Sequence, residues 1–239
     1  MQMSCCLFNI GNTHVLTARL SADGIISDCR VFDTPGFNPE NLMGEENAVV
    51  SVVPIWEEFF RKKGAFVLNQ ESCEPLLHLQ KMETPETIGA DRIANSIALI
   101  SSGKVPALCV DCGTAITFEF VDSENYLRGG AILPGRQLLR KALHDYTAKL
   151  PLIPMADKVH PVPGKNTVEA IRVGVDTGVI GSVREILEQF KQMEPGLRIV
   201  FCGGDSPYFA DSFPEAEFYG GDFTLKGLAH IFQLCRKDK

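Results

Sequence analysis

No run of 18 uninterrupted apolar residues occurs in the sequence, so a membrane-spanning helix is not expected. Positive charge is also short, with 23 Lys and Arg against 30 Asp and Glu and a formal net charge of -7. A broad nucleic-acid or anionic-membrane surface therefore lacks its electrostatic basis, and any polyanion must be gripped locally. The stretch from Met1 to Cys6 has neither a basic opening nor a long apolar core, so no leader is expected and the cytoplasm is the expected compartment. The five histidines (His14, His78, His144, His160 and His230) follow no metal-binding spacing. The single tryptophan, Trp56, stands near Phe59 and Phe60 on one face of an expected helix, which fits packing better than base stacking. Several of the eight cysteines lie inside apolar runs and read as reduced thiols. Cys109-x-x-Cys112 has no second pair at zinc spacing, so a metal or redox role for it is disfavoured.

The chain has 239 residues, 45% of them hydrophobic and 22% charged, an ordinary globular composition with length for one large or two modest domains. A repeat points to two. Cys5 to Ile10 is an apolar, strand-like run ending in a polar turn, Gly11-Asn12-Thr13, followed by a return strand from Val15 to Leu20. Ala107 to Cys112, the turn at Gly113 and Thr114, and Ile116 to Val121 repeat that plan roughly 100 residues later, a spacing suited to duplicated domains rather than a solenoid. Ala48 to Val53 reads as a strand buried on both faces and stopped by Pro54, and Ile55 to Gly64 as a helix. Further helices are predicted over Ala90–Ser102, Arg136–Leu143, Thr167–Gln192 and Leu225–Cys235, with a buried strand over Leu197–Cys202. Gly174, Gly178 and Gly181 predict close approach of another element to the long helix. Strands alternating with helices give an α/β fold. The linker is expected at residues 103–106, giving domains over 1–103 and 104–239.

Three strands end in glycine turns, at Gly11, Gly113 and Gly203-Gly204. Alone, each is a hairpin signal. Two of them facing across a cleft would present backbone N–H groups and the hydroxyls of Thr13 and Thr114 to an oligophosphate. Gly164-Lys165-Asn166-Thr167 does not complete a phosphate-binding P-loop, because Val159 stands where the first glycine is needed. Asp111, at the end of an apolar strand, is either a turn-closing residue or a carboxylate paired with a cation. Asp91, in Gly89-Ala90-Asp91-Arg92 at a helix start, is either a cap or a general base with an anion-binding arginine beside it.

Taken together, these motifs resemble the type III pantothenate kinases. The resemblance runs through Asn9 to Thr13, Ser51 to Pro54, Gly89 to Arg92, Asp111 to Ala115, Gly129 to Gly135, Ala148 to Pro151, Gly164 to Thr167, Gly174 to Gly178, and Gly203-Gly204, in the family's order. It implies two ribonuclease-H-like domains of the actin, acetate-kinase and sugar-kinase superfamily, with nucleotide in the interdomain cleft. It also implies ATP-dependent phosphorylation of pantothenate to 4'-phosphopantothenate, the first step of coenzyme A biosynthesis, with Mg²⁺ and a monovalent cation such as potassium or ammonium, in a cytoplasmic homodimer. Carried onto this chain, Asp91 becomes the proton acceptor. Met82, Gly89, Ala90, Asp91, Arg92 and Thr167 line the pantothenate site, and Asn9, Ile10, Gly11, Asn12, Thr13, His14, Val15, Leu16 and Thr114 the ATP site. Asp111 holds the monovalent cation. Two positions depart from the family's pattern. Asn9 replaces the first motif's aspartate, and Met82 stands where an aromatic residue is expected. The first leaves open a catalytically weak, ligand-binding or regulatory relative, and the second a same-fold kinase for another small hydroxylated acceptor.

Overall fold

The computed structural model describes residues 5–237. The first four residues of the stretch read for a leader, and the last two of the chain, lie outside it. Strands β1 (Cys5–Ile10), β2 (His14–Leu20) and β3 (Ile26–Asp33) form an antiparallel meander, joined in parallel by β4 (Glu46–Ser51) and then β5 (Phe66–Val67) in the order β3-β2-β1-β4-β5. After helix α2 (Ala90–Ser101) the plan repeats with β6 (Ala107–Cys112), β7 (Ala115–Val121), β8 (Leu127–Pro134), β9 (Arg198–Cys202) and β10 (Glu217–Phe218) in the order β8-β7-β6-β9-β10. The match between Asn9 and Asp111 seen in the sequence is therefore a match between equivalent strand ends.

Both central strands are buried on two faces, and period-two alternation assigns each residue to a face. Cys5 and Leu7 of β1, with Ala107 and Cys109 of β6, point into a shared core filled by α2 and α5 (Phe223–Lys237). Cys6, Phe8 and Ile10 point outward beneath α1 (Pro54–Lys62), while Leu108, Val110 and Cys112 point outward beneath α4 (Thr167–Met193). The order is helix, sheet, helix pair, sheet, helix, with α3 (Arg136–Asp145) leaning on α4. Trp56, Phe59 and Phe60 pack in the outer core under α1, as their spacing predicts. Cys109 and Cys112 fall on opposite faces of β6, three residues apart, so no metal or redox pair forms between them. Among the described residues, no helix is long and apolar enough to cross a membrane.

The helix ends follow local chemistry. Pro54, read as a strand stop, is also the first residue of α1, where its missing N–H costs no hydrogen bond. Gly64 and Gly103, both with positive φ, follow the last turns of α1 and α2. Helix α5 returns to the first half and packs on α2, β1 and β4. A Cβ at Gly227 would collide with Ala94 O and lie 3.1 Å from Ala98 N, so this contact between helices depends on glycine. Among the described residues of the chain, nothing makes the close approach predicted at Gly174, Gly178 and Gly181: a Cβ at each would meet nothing within 4 Å. Those glycines lie on open faces of α4, and the small residue that matters for helix packing is on α5.

Candidate active site

The two glycine turns meet. Thr13 Oγ1 and Thr114 Oγ1 share a hydrogen bond of 2.8 Å across 101 residues of sequence. The glycine amides themselves are occupied, with Gly11 N–H donating to His14 O and Gly113 N–H to Ala115 O, both at 2.9 Å. The amides of Asn12, Thr13 and Thr114 donate to no protein acceptor among the described residues, so the donors left open to a ligand are those of the turn residues after each glycine. Both turns are held from behind. Thr34 donates through its hydroxyl to Gly11 O at 2.7 Å and through its amide to Thr13 O at 2.9 Å. Gly135 N–H donates to Thr114 O at 2.9 Å, and a Cβ there would overlap Gly113 O and lie 2.6 Å from Thr114 O. The last glycine of the Gly129–Gly135 motif thus closes the second turn. Ile10 and Val15 are fully buried in the outer core and Leu16 packs on the shared core, so those side chains support the turn from below. His14 lies on the surface, 3.7 Å from Asp33.

Asp111 sits under the third turn. Gly203 has φ of +88°, and a Cβ on it would strike Asp111 Oδ1 and Cys112 O. Asn95 Nδ2 donates to Asp111 Oδ2 at 2.9 Å, and Thr224 of α5 donates to Asn95 Oδ1 at 2.8 Å, which fixes the direction of the amide. No protein donor among the described residues reaches Asp111 Oδ1. Burial pushes the Asp111 carboxyl from 3.8 up to about 6, with Asn95 opposing and the charge of Asp91 adding. The turn continues to Asp205, whose carboxylate pairs at 2.8 Å with Arg136; Arg136 and Arg140, both buried, also bind the buried Asp176 at 3.0 and 2.7 Å.

Asp91 is not the cap of α2. Gly89 holds that position, and Asp91 lies inside the first turn, its Oδ1 accepting from Arg92 N–H at 2.8 Å. A Cβ on Gly89 would sit 2.5 Å from Asp91 Oδ1, so this glycine makes room for the carboxylate. Burial raises the pKa of Asp91, opposed by the amide and the guanidinium of Arg92. Arg92 crosses to the second sheet, where its Nε donates to Glu119 Oε1 at 2.9 Å and its Nη2 to Phe118 O at 3.3 Å. Gly130 pairs opposite Glu119, and a Cβ there would overlap Phe118 O and lie 2.9 Å from Arg92 Nη2. Gly130→Ala is therefore expected to displace the Arg92 guanidinium from Glu119 and Phe118 O, and a crystal structure of the variant checks this.

Two predicted site residues stand apart. Met82 packs against the shared core in the segment before α2. Thr167 is the exposed first residue of α4 and lines a groove of about 760 Å³ with Leu139, Leu143, Leu150, Ile171 and Val175. Gly164 to Thr167 is a helix start: Asn166 accepts from Glu169 N–H at 3.0 Å, Glu169 accepts from Lys165 N–H at 2.7 Å, and a Cβ on Gly164 would press on Ala170 N at 2.5 Å. Sequence reasoning missed Glu119, Asn95 and Thr224. Glu119 had a signal, the one charge inside the mostly apolar strand β7.

Residues 6–189 match the family model for type III pantothenate kinase. The chain belongs to the type III pantothenate kinase family. Its similarity to the type III pantothenate kinase of Rubrobacter xylanophilus is 30% identity, covering 95% of this chain and 96% of that one. Identity to the Flavobacterium johnsoniae type III pantothenate kinase is 36%, covering 64% of this chain and 63% of that protein, so this match spans less than two thirds of the relative's length. Among solved structures, the activator of 2-hydroxyisocaproyl-CoA dehydratase from Clostridium difficile, with bound ADPNP, superposes with a TM-score of 0.56 at 12% identity, covering 99% of this chain and 97% of that chain. That likeness concerns the fold, two ribonuclease-H-like sheets of the actin and sugar-kinase type.

Proposed function

We propose that this family member transfers the γ-phosphoryl group of ATP to the primary hydroxyl of pantothenate, giving 4'-phosphopantothenate for coenzyme A synthesis. The observation that carries the reading is the pairing of two strand-equivalent turns through Thr13 and Thr114, with Asp111 at the end of the strand that leads into the second turn and close enough to Asp91 to feel its charge. The fold relative with bound ADPNP supports a nucleotide ligand for this fold; we place it between two lobes, taken as 1–103 and 104–239 with α5 returned to the first. Asn9 to Leu16 and Thr114 form the phosphate side. Met82, Gly89 to Arg92 and Thr167 form the acceptor side. Four donors, the amides of Asn12, Thr13 and Thr114 and whichever of the two threonine hydroxyls is not donating to the other, are held in place before any anion arrives, so little reorganisation accompanies binding.

Phosphoryl transfer asks the protein mainly for alignment and charge stabilisation. The acceptor hydroxyl gives its proton to Asp91 as its oxygen bonds to the γ-phosphorus, and the bond from that phosphorus to the β–γ bridging oxygen breaks, releasing ADP. Asp91 suits the task because its carboxylate is fixed by an amide hydrogen bond and its raised pKa improves it as a base. Bound Mg²⁺ would neutralise charge on the β- and γ-phosphate oxygens. No group of three or more His, Cys, Asp or Glu among the described residues forms a metal cage, so the divalent ion fits here only as one shared with phosphates and water. Asp111 fits the monovalent cation, because its Oδ1 is free and its Oδ2 is tied to Asn95. The exposed Leu152, Val162 and Val168 near the Thr167 groove support a homodimer through the α3–α4 face, and free thiols such as Cys5, Cys73 and Cys202 suit a cytoplasmic setting.

The test is ADP release with pantothenate, Mg²⁺ and potassium or ammonium. Pantothenate-dependent release is expected, and none above the uncoupled background would overturn the reading. Asn9 favours a slow enzyme. It keeps a hydrogen-bonding oxygen but drops a carboxylate near the phosphates, a contribution of several kcal/mol where a metal depends on it. Asn9→Asp is expected to raise kcat at least tenfold at subsaturating Mg²⁺, and a Mg²⁺ titration of the rate checks this.

A further inference from the structure

Glu119 is a carboxylate with no exposed surface, and it stands in the middle of β7 between Phe118 and Phe120. Oε1 accepts from Arg92 Nε at full hydrogen-bond geometry, while Oε2 is buried without such a partner and the Thr117 hydroxyl adds only a weaker pull on the carboxylate. Burial pushes its pKa from 4.5 up to about 8 against the pull of Arg92, so the fold carries a real cost in keeping a carboxylate here. Packing alone does not account for that cost, since an apolar side chain would fill the same strand position.

The geometry of Arg92 supplies an account. Arginine has five N–H donors; Nε–H is given to Glu119 and one Nη2–H to Phe118 O, which uses the Nε–Nη2 edge and leaves three donors around Nη1 and Nη2. The free edge is the one that grips a carboxylate end-on with two parallel hydrogen bonds. Gly130 gives the guanidinium its room, and the side chain keeps 15% exposure beside Asp91. We propose that Glu119 is a positioning residue for the acceptor, holding the inner edge of Arg92 so that its outer edge meets the carboxylate of pantothenate. The proposal rests on the pantothenate kinase reading above and deepens it by naming what selects an acidic acceptor.

The test compares wild type, Glu119→Gln and Glu119→Ala on two acceptors with the same primary hydroxyl, pantothenate and the analogue whose carboxylate is reduced to an alcohol. Wild type is expected to favour pantothenate. Glu119→Ala should lower kcat/KM for pantothenate at least tenfold, mainly through KM, with KM for ATP and turnover of the alcohol within about twofold. Glu119→Gln keeps an oxygen for Nε–H but loses the charge, so the preference for pantothenate should fall about threefold to tenfold. If Glu119→Ala does not fold, Glu119→Gln decides. An unchanged preference in folded Glu119→Gln, or equal losses on both acceptors and ATP, overturns the positioning role. A wild type that uses both acceptors equally also overturns it and leaves the kinase reading standing, whereas a wild type inactive on pantothenate overturns the kinase reading itself.

Discussion

Asp91→Asn lowers kcat by about 10²–10⁴-fold, the usual range for removal of a positioned base, and leaves KM for ATP within about twofold. The substitution keeps the shape and the oxygen that accepts Arg92 N–H, and Gly89 still leaves room for it, so the loss isolates proton transfer. Nothing in the fold depends on Asp91 as a cap, since Gly89 occupies that position; its value to the helix is limited to a first-turn charge interaction of about 0.3–1 kcal/mol. The pH profile gives a second check. A base must be ionised, so wild-type kcat/KM falls as pH drops through the Asp91 pKa, which burial places above the ordinary 3.8. Steady-state rates should fall more steeply across the acidic range in wild type, where Asp91 and Asp111 must both be ionised, than in Asp91→Asn, which keeps only the limb that Asp111 sets near pH 6. An unchanged kcat in the variant contradicts the assignment.

Asp111→Asn should make the protein more stable and less active. With a folded pKa of about 6 against 3.8 for the free side chain, the native state binds the proton more tightly than the unfolded chain. Stability therefore falls as pH rises from about 4 to 6 and stays reduced above that. At pH 8 the neutral amide escapes a penalty of about 2–3 kcal/mol, a Tm rise of roughly 5–10 °C for a chain of this size, and the gain vanishes near pH 4. In wild type, potassium or ammonium at Asp111 would recover part of the same penalty by mass action, and Asp111→Asn would lose that response together with most of its turnover. Thermal unfolding at pH 8 and pH 4, with and without the cation, measures all of this. A variant less stable than wild type at pH 8, or one still stabilised by the cation, contradicts the role. A gain in stability on loss of function marks a site where the fold tolerates a buried charge for chemistry.

The repeated strand and turn at Cys5–Thr13 and Ala107–Thr114 were legible in the sequence because strands buried on both faces are continuous apolar runs that end abruptly in glycine and polar residues. Edge strands β3 and β8 were not. Their residues alternate or lie mostly exposed, so no apolar run marks them, and they are fixed by pairing with β2 and β7. The glycines were visible as punctuation, but their reasons were tertiary: Gly89 yields to a carboxylate two residues on, Gly130 to an arginine from another helix, and Gly203 to Asp111. The same limit hid Asn95 and Thr224, ordinary helix residues until α5 folds back on α2 and joins them into a chain ending at Asp111.

A crystal structure with pantothenate and a nonhydrolysable ATP analogue tests the central claim most directly. The account predicts the terminal phosphate at the Asn12, Thr13 and Thr114 amides and the acceptor's primary hydroxyl within hydrogen-bond distance of Asp91, in line with the γ-phosphorus. Nucleotide bound away from the paired turns, or an acceptor hydroxyl out of reach of Asp91, would contradict it.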